Sequence, residues 1–263
     1  MKRVGKTERQ QQILAELRLT HHVRISELAE RFGVSTETVR RDVDTLSEQG
    51  LVSRAYGGAA SSPMGTQPSF GERNEAHLEE RARIADQAAL LPQPGEVLMI
   101  DAGSTTTQFA RRLAVAGREL TVLTNSIPVA GALGSNETIS VILCPGDYSP
   151  REAAVYGDET VSFLLRFRAN RAFIGASGLG VEGIMDANRA ASAVKRAMLR
   201  QSDERILLVD HSKYNQRMVS IVEPLTAIDA MVSDVPPKGP LLDALHEAQV
   251  RLYLGPEAGS FAA

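Results

Sequence analysis

Val97-Leu98-Met99-Ile100-Asp101-Ala102-Gly103-Ser104-Thr105-Thr106-Thr107 passes from four apolar residues, through a short polar loop, into a run of hydroxyls. It reads as a buried strand, a turn and the start of a helix. The pattern recurs downstream. Leu120–Leu123, Ile139–Leu143, Ala172–Ile174 and Ile206–Val209 are further short apolar runs, several of them rich in Val and Ile. Arg111–Ala116, Ile127–Leu133, Glu159–Phe167 and Ala190–Leu199 read as helices between them, and Ala230–Val232 and Val250–Leu254 add candidate strands. A parallel sheet with helices on both faces needs continuous apolar strands of this kind. The class is therefore α/β.

Three loops that follow candidate strands are polar. In the first, Gly103 lets a ligand approach the backbone, while Ser104, Thr105 and Thr106 add hydroxyls to the N–H groups of a helix start. Thr124-Asn125-Ser126 follows the next strand, and Gly175-Ala176-Ser177-Gly178 follows a later one. One such loop merely turns the chain. Three at the same end of successive strands predict a pocket at the carboxyl edge of the sheet, where open α/β folds bind ligands. Lys195, on a helix after Asp186 and Asn188, and Lys213, just after Asp210, His211 and Ser212, are candidates to neutralise a phosphate. The ordinary alternative for each is a salt bridge or a solvated charge. Asp101 and Asp210 are suited to sugar hydroxyls or to orienting a lysine. No phosphate-loop glycine-lysine-serine run is present, and the first turn lacks a dinucleotide fingerprint, which argues against NAD.

The N-terminal sixty residues have a different texture. Lys6–Leu19 reads as a helix with Ile13, Leu14 and Leu17 on one face, and His21 and His22 fall in the break after it. Ser26 is the expected N-cap of a second helix with Leu28, Ala29 and Phe32 as its apolar side. Gly33 ends that helix, and Ser35 caps a third over Thr36–Glu48. Val39, Val43 and Leu46 form the inward stripe of the third helix. Thr36, Glu37, Thr38, Arg40, Arg41 and Asp44 lie mostly off it. Two short helices joined by a tight turn hold the second out as a probe, whose N-terminal end meets base edges. Arg40 or Arg41 suits a guanine edge or a phosphate; paired arginines alone would equally make a solvated face. Leu51–Tyr56 predicts a two-stranded ribbon, with Gly57 and Gly58 permitting its turn. Arg54 on that ribbon suits a phosphate or the minor groove. Ala59–Phe70 reads as a linker and His77–Leu90 as a helix against the second domain.

Bulk properties narrow the classes. The 263 residues carry a formal net charge of −3, so nucleic-acid contact must come from a local patch. The first sixty residues hold ten Lys or Arg against eight Asp or Glu. The single cysteine, Cys144, makes no internal disulfide and supplies no metal cluster by itself. The polar start lacks a secretory apolar region, and no apolar run reaches membrane-spanning length. The expected location is the cytoplasm, with no metal and no cofactor.

These residues resemble the DeoR family of bacterial transcription regulators. The resemblance rests on Val34-Ser35 through Thr38-Val39-Arg40-Arg41-Asp42 with Leu46 and Gly50, and on Tyr56-Gly57-Gly58-Ala59, Phe70 and Arg73. It continues through Asp101–Thr106, Thr124–Ser126, Phe173–Gly178, Gly183, Asp186, Asn188, Lys195 and Asp210–Lys213, from about residue 6 to 254. It implies a winged helix-turn-helix over 1–60, a linker over 61–76, and an effector-binding and oligomerisation domain over 77–256. That domain would be Rossmann-like and related to ribose-phosphate isomerase-like folds.

The implied protein is a dimeric or tetrameric, non-enzymatic repressor. It acts on double-stranded operator DNA of a sugar or polyol catabolic operon and is relieved by a phosphorylated sugar intermediate. The implied DNA contacts are Ser35, Thr36, Glu37, Thr38, Arg40, Arg41 and Arg54. The implied effector positions are Asp101, Gly103, Ser104, Thr105, Thr106, Asn125, Gly175, Ala176, Ser177, Lys195, Asp210 and Lys213. There are departures. Arg189-Ala190-Ala191-Ser192 replaces an acidic pair, Pro145-Gly146 a glycine pair, and Arg81 or Arg83 a lysine. Loss of the carboxylates speaks against the rival reading, a sugar-phosphate isomerase or deaminase with an accessory DNA-binding head. A metabolite-dependent activator and a nucleic-acid-independent interaction module are the other rivals.

Overall fold

The computed structural model describes residues 5–20, 22–48, 52–55, 58–61 and 67–255, with the side chains of 18–20, 22, 47–48, 53–55 and 58–61 left aside. Two units, Met1–Gln67 and Pro68–Ala263, each make most of their contacts internally.

The first unit runs α1 (Lys6–Thr20), β1 (His22–Arg24), α2 (Ile25–Phe32), α3 (Thr36–Glu48), β2 (Val52–Ala55) and β3 (Gly58–Ser61). The three strands form an antiparallel sheet in the order β1-β3-β2. The ribbon is present, but it has a third strand that the break at His21–His22 did not announce. Pairing of Arg24 with Gly58 holds the backbone extended up to the start of α2. For that reason α2 begins at Ile25, with Arg24 at its N-cap and no side-chain cap. The expected capping role of Ser26 is thereby corrected: it lies inside the first turn. Gly33 closes α2 in the left-handed region (φ 62°), its N–H reaching the carbonyls of Ala29 and Glu30. The Ser35 side chain accepts from Thr38 N at 3.2 Å, as an N-cap should. Ile13, Leu17, Leu28, Phe32, Val39, Val43, Leu46 and Val52 form the core.

The second unit opens with α4 (Phe70–Glu75) and α5 (Leu78–Ala88). Ser69 and Glu72 build a capping box on α4. The stretch expected as a linker, 61–76, thus ends inside ordered structure, because the caps and apolar contacts of a six-residue helix are too short to show as periodicity. Then follow β4 (Val97–Ile100), α6 (Ser104–Val115), β5 (Leu120–Thr124), α7 (Ile127–Leu133), β6 (Ile139–Leu143), β7 (Asp147–Ser149), β8 (Ala154–Tyr156) and α8 (Asp158–Leu164). The chain continues through β9 (Ala169–Ile174), β10 (Gly178–Gly180), β11 (Gly183–Asp186), α9 (Arg189–Arg200), β12 (Ser202–Leu208), β13 (Ser220–Glu223), β14 (Ala230–Ser233), α10 (Pro240–Glu247) and β15 (Arg251–Leu254).

Among the described residues, seven strands form one sheet in the order β15-β14-β12-β9-β4-β5-β6, every neighbouring pair parallel. Leu98 and Ile100 of β4 share a buried cluster with Ile84, Phe109 and Val129, on α5, α6 and α7. Met99 shares the opposite cluster with Leu164, Val194, Met198 and Leu245, on α8, α9 and α10. Both faces are covered, which is why the strands read as unbroken apolar runs. The chain winds outward from β4 through β5 to β6, then returns to the other side of β4 as β9. The switch point lies between β4 and β9, where ligands of such folds sit. A second sheet (β10-β11-β13) and the hairpin β7–β8 are additions that the apolar-run reading did not foresee.

Candidate functional site

Four adjacent strands present their carboxyl ends side by side, in the order β12, β9, β4 and β5. The expected residues Asp210, Gly175, Asp101 and Asn125 follow these strands directly or within two residues. Asp101 is fully buried, and its Oδ1 accepts the Gly175 N–H at 3.1 Å. Its Oδ2 meets the ammonium of Lys195, which α9 projects back onto the sheet edge, and Asp186 at the end of β11 lies 3.6 Å from the same nitrogen. Asn188 starts α9 as its N-cap and so fixes where Lys195 falls. Burial pushes the Asp101 carboxyl up to about 6 against the pull of Lys195. For Lys195, burial works against the charge, yet Asp101 and Asp186 together carry it above the ordinary lysine value. At neutral pH both groups are charged and each holds the other.

The neighbouring group is differently arranged. Asp210 is buried after β12, and its Oδ1 takes the Ser212 N–H at 3.0 Å and the Ser212 hydroxyl. Burial opposes its charge, but Lys213, the Ser212 hydroxyl and Arg81 hold it below the usual carboxylate range. Arg81 of α5 is 2% exposed, with Nε 3.8 Å from Asp210 Oδ2. Burial lowers the Lys213 ammonium below the lysine range, Asp210 pulling the other way. Among the described residues no carboxylate oxygen comes within 4.0 Å of Lys213, although Asp186 and Asp210 both act on it. The two groups of charges therefore belong to one site. Toward β14 the edge continues through His211, whose ring Nδ1 lies 2.5 Å from the buried Asp234.

Several buried polar atoms here lack a hydrogen-bond partner: Asn125 Oδ1, Arg81 Nε and Asp210 Oδ2. Asn125 donates its amide to Val155 O at 3.0 Å, which fixes the orientation of the amide and leaves Oδ1 as an acceptor. Other expected contributors are already engaged. The Thr106 and Thr107 hydroxyls donate to Gly103 O at 3.0 and 2.7 Å, and the Gly175 N–H is taken by Asp101. A Cβ on Gly103 would sit 3.2 Å from Thr106 Oγ1, so the close approach at this glycine is internal. Ser104, Thr105 and Ser177 are buried at the same edge, and Ala176 is half-buried beside them. Arg81 could have been found from sequence: it occupies the first position of the buried stripe Arg81, Ile84, Ala85, Ala88. An arginine on an apolar stripe has a buried task.

In the first unit α3 separates its faces cleanly. Val39, Val43 and Leu46 are buried, while the side chains of Arg40 and Arg41 are 59% and 79% exposed. Both lie near Glu37, at 3.3 and 3.4 Å, as water-facing pairs. Thr36 and Glu37 are exposed and Thr38 is half-buried. Asp42 is the exception: it is buried and meets Arg9 of α1 at 2.5 Å, a tie the sequence reading did not identify. Arg54 lies on β2; its side chain, and Tyr56 and Gly57 of the ribbon, fall outside the described residues.

Comparison with known proteins agrees with this organisation. The DeoR-like helix-turn-helix domain matches residues 9–63 and the DeoR C terminal sensor domain matches 76–235. The glycerol-3-phosphate regulon repressor of Escherichia coli is 30% identical over 94% of this chain and 98% of its own. The putative aga operon transcriptional repressor of Escherichia coli O157:H7 is 30% identical over 95% and 94%. HTH-type transcriptional regulator IolR of Bacillus subtilis is 27% identical over 92% and 97%. Among solved structures, ribose 5-phosphate isomerase A of Methanocaldococcus jannaschii is similar over 51% of this chain and 53% of its own, at 18% identity and a TM-score of 0.39. The tetrameric eIF2B-beta2-delta2 complex of C. thermophilum is similar over 91% and 72%, at 12% identity and 0.48. Those two likenesses are too distant to bear on function. No helix among the described residues is long and apolar enough to cross a membrane. With both domains matched in order and full-length relatives at this identity, the chain belongs to the DeoR family of transcription regulators.

Proposed function

We propose that this protein represses a sugar or polyol catabolic operon and that a phosphorylated sugar or polyol relieves the repression. The carrying observation is the set of unpartnered polar atoms buried at one sheet edge. Native proteins leave few such atoms unsatisfied. Asn125 Oδ1 and Asp210 Oδ2 accept hydrogen bonds, so they call for hydroxyls; Arg81 Nε and the Lys213 ammonium donate, so they call for an anion. A phosphorylated polyhydroxy compound carries both. Asp101 and Asp186 are both committed to Lys195, so neither stands ready as a base, which favours sensing over turnover.

On the same reading Asp101, Gly103–Thr106, Asn125, Gly175–Ser177, Lys195, Asp210 and Lys213 surround the effector. Ser35–Thr38, Arg40, Arg41 and Arg54 contact DNA. A cytoplasmic homo-oligomer presents paired recognition helices to a repeated operator. The effector binds the DNA-incompetent state better, and DNA in turn weakens effector binding. The relatives named as operon repressors support this reading. The test is to select bound duplexes from a random pool and titrate the preferred one with phosphorylated and free sugars and polyols. Phosphorylated compounds are expected to weaken binding and their neutral forms to leave it unchanged. Operator affinity indifferent to all of them would overturn the proposal.

A further inference from the structure

Arg81 stands between the candidate effector site and α4. Its Nη1 group donates to the carbonyls of Arg73 and Ala76, at the C-terminal end of α4, the latter at 2.6 Å. Its Nε is not used there. It is buried without a hydrogen-bond partner; its ion-pair partner, Asp210 Oδ2, lies 3.8 Å away, beyond hydrogen-bond reach, and that oxygen likewise makes no hydrogen bond. A guanidinium offers separate edges in a fixed plane, so one edge can hold α4 while another receives an anion. The opposite side of α4 is tied to the other wall of the site. Arg73 Nη2 meets Glu152 at 2.7 Å, and Phe70 N donates to Arg151 O at 2.8 Å. Three residues on from Glu152, Val155 exchanges two hydrogen bonds with Asn125, its N–H to Asn125 O at 2.8 Å and its carbonyl from Asn125 Nδ2 at 3.0 Å. The helix is thus braced to the loop after β12 by one arginine and to the loop beside Asn125 by another. It is also the first helix after the unit that carries α3.

Resting on the effector-site reading above, we infer that Arg81 is a positioning residue: an anion bound at its Nε, shared with Lys213, fixes the guanidinium and thereby locks α4. A buried guanidinium with an unused N–H is poorly anchored. Supplying the missing acceptor stabilises one orientation and with it both carbonyl bonds to α4. Occupancy of the sheet edge is then felt as loss of freedom at Phe70–Ala76.

Amide hydrogen exchange on the full-length protein, with and without inorganic phosphate, tests this in wild type, Arg81→Lys and Glu152→Gln. In wild type, phosphate is expected to slow exchange over 70–77 by roughly 5-fold and also over 210–214. Arg81→Lys keeps the charge but has no second edge, so it keeps the slowing at 210–214 and loses it at 70–77. Glu152→Gln speeds exchange of α4 before phosphate is added, and phosphate still slows it. Slowing confined to 210–214 in wild type, or full slowing at 70–77 in Arg81→Lys, overturns the relay and leaves the effector site standing. No slowing in either segment overturns the effector site together with the relay.

Discussion

The outer face of α3 and the carboxyl edge of the large sheet both carry arginine or lysine beside carboxylates, yet the two do opposite things with their charge. On α3, Arg40 and Arg41 share Glu37 in water, where such pairs contribute about 0–1 kcal/mol and are easily exchanged for a phosphate. At the sheet edge Asp101, Lys195, Asp186, Asp210 and Arg81 are buried, where a charge needs an opposite partner to offset the loss of water. On the function proposed above, the first surface gives up its partners to a polyanion, and the second holds its shape until a small ligand completes it. Burial, not residue type, separates the two roles.

The largest effect is expected at Asp101. Asp101→Ala leaves Lys195 with only the more distant Asp186 and strips the acceptor from the Gly175 N–H. Loss of one partner of a buried pair costs about 3–5 kcal/mol, so urea unfolding of the second unit should shift by that much. A shift below about 1 kcal/mol would mean the edge is not held by its ions. Asp42→Ala probes a buried charge of α3, and removing a partner of buried Arg9 is expected to cost about 2–3 kcal/mol. The readout is unfolding of the first unit, followed by near α3 probes, with operator binding lost in parallel. Arg41→Ala sharpens the contrast from the exposed side. It should weaken operator binding by about 10-fold while changing stability by less than about 0.5 kcal/mol.

A further effect is a pH slope. Asp101 is pushed up to about 6 in the folded chain from an ordinary value of 3.8. Between those values the folded state keeps a proton that the unfolded chain has released. The contribution of this group to stability therefore falls as pH rises through that window and is constant above it. The difference between wild type and Asp101→Asn, measured by denaturation from pH 4 to 7, should show that fall in the wild type alone.

How much of this was legible in the sequence differs by level. Gly33, Ser35 and the stripe Val39, Val43, Leu46 gave the helix pair, because caps and 3.6-residue spacing are local facts. Val97–Ile100, Ile139–Leu143 and Ile127–Leu133 were readable to the residue, since a two-sided sheet leaves unbroken apolar runs. The short strands β1, β7, β8, β10, β11 and β13 were not, because three or four residues are too few to show a period, and β1 and β13 also pair with distant segments. The same holds within the site. Asp101, Asn125, Asp210 and Lys195 could be assigned to the sheet edge because they follow strands or sit near a capped helix start. That Asp101 takes the Gly175 N–H, that Thr106 serves Gly103, and that Arg81 grips α4 are long-range or inward-turned contacts that spacing does not encode.

In the proposed function, a hydroxylated anion at this edge and operator DNA on α3 oppose each other through one chain. Titration calorimetry of a phosphorylated sugar or polyol into the free protein and into its operator complex measures that opposition directly, with Lys213→Met as the control. Operator is expected to weaken ligand binding by the same factor by which ligand weakens operator binding, and Lys213→Met is expected to lose most ligand affinity while still binding operator. Ligand affinity identical in the free and operator-bound protein would contradict the proposed function.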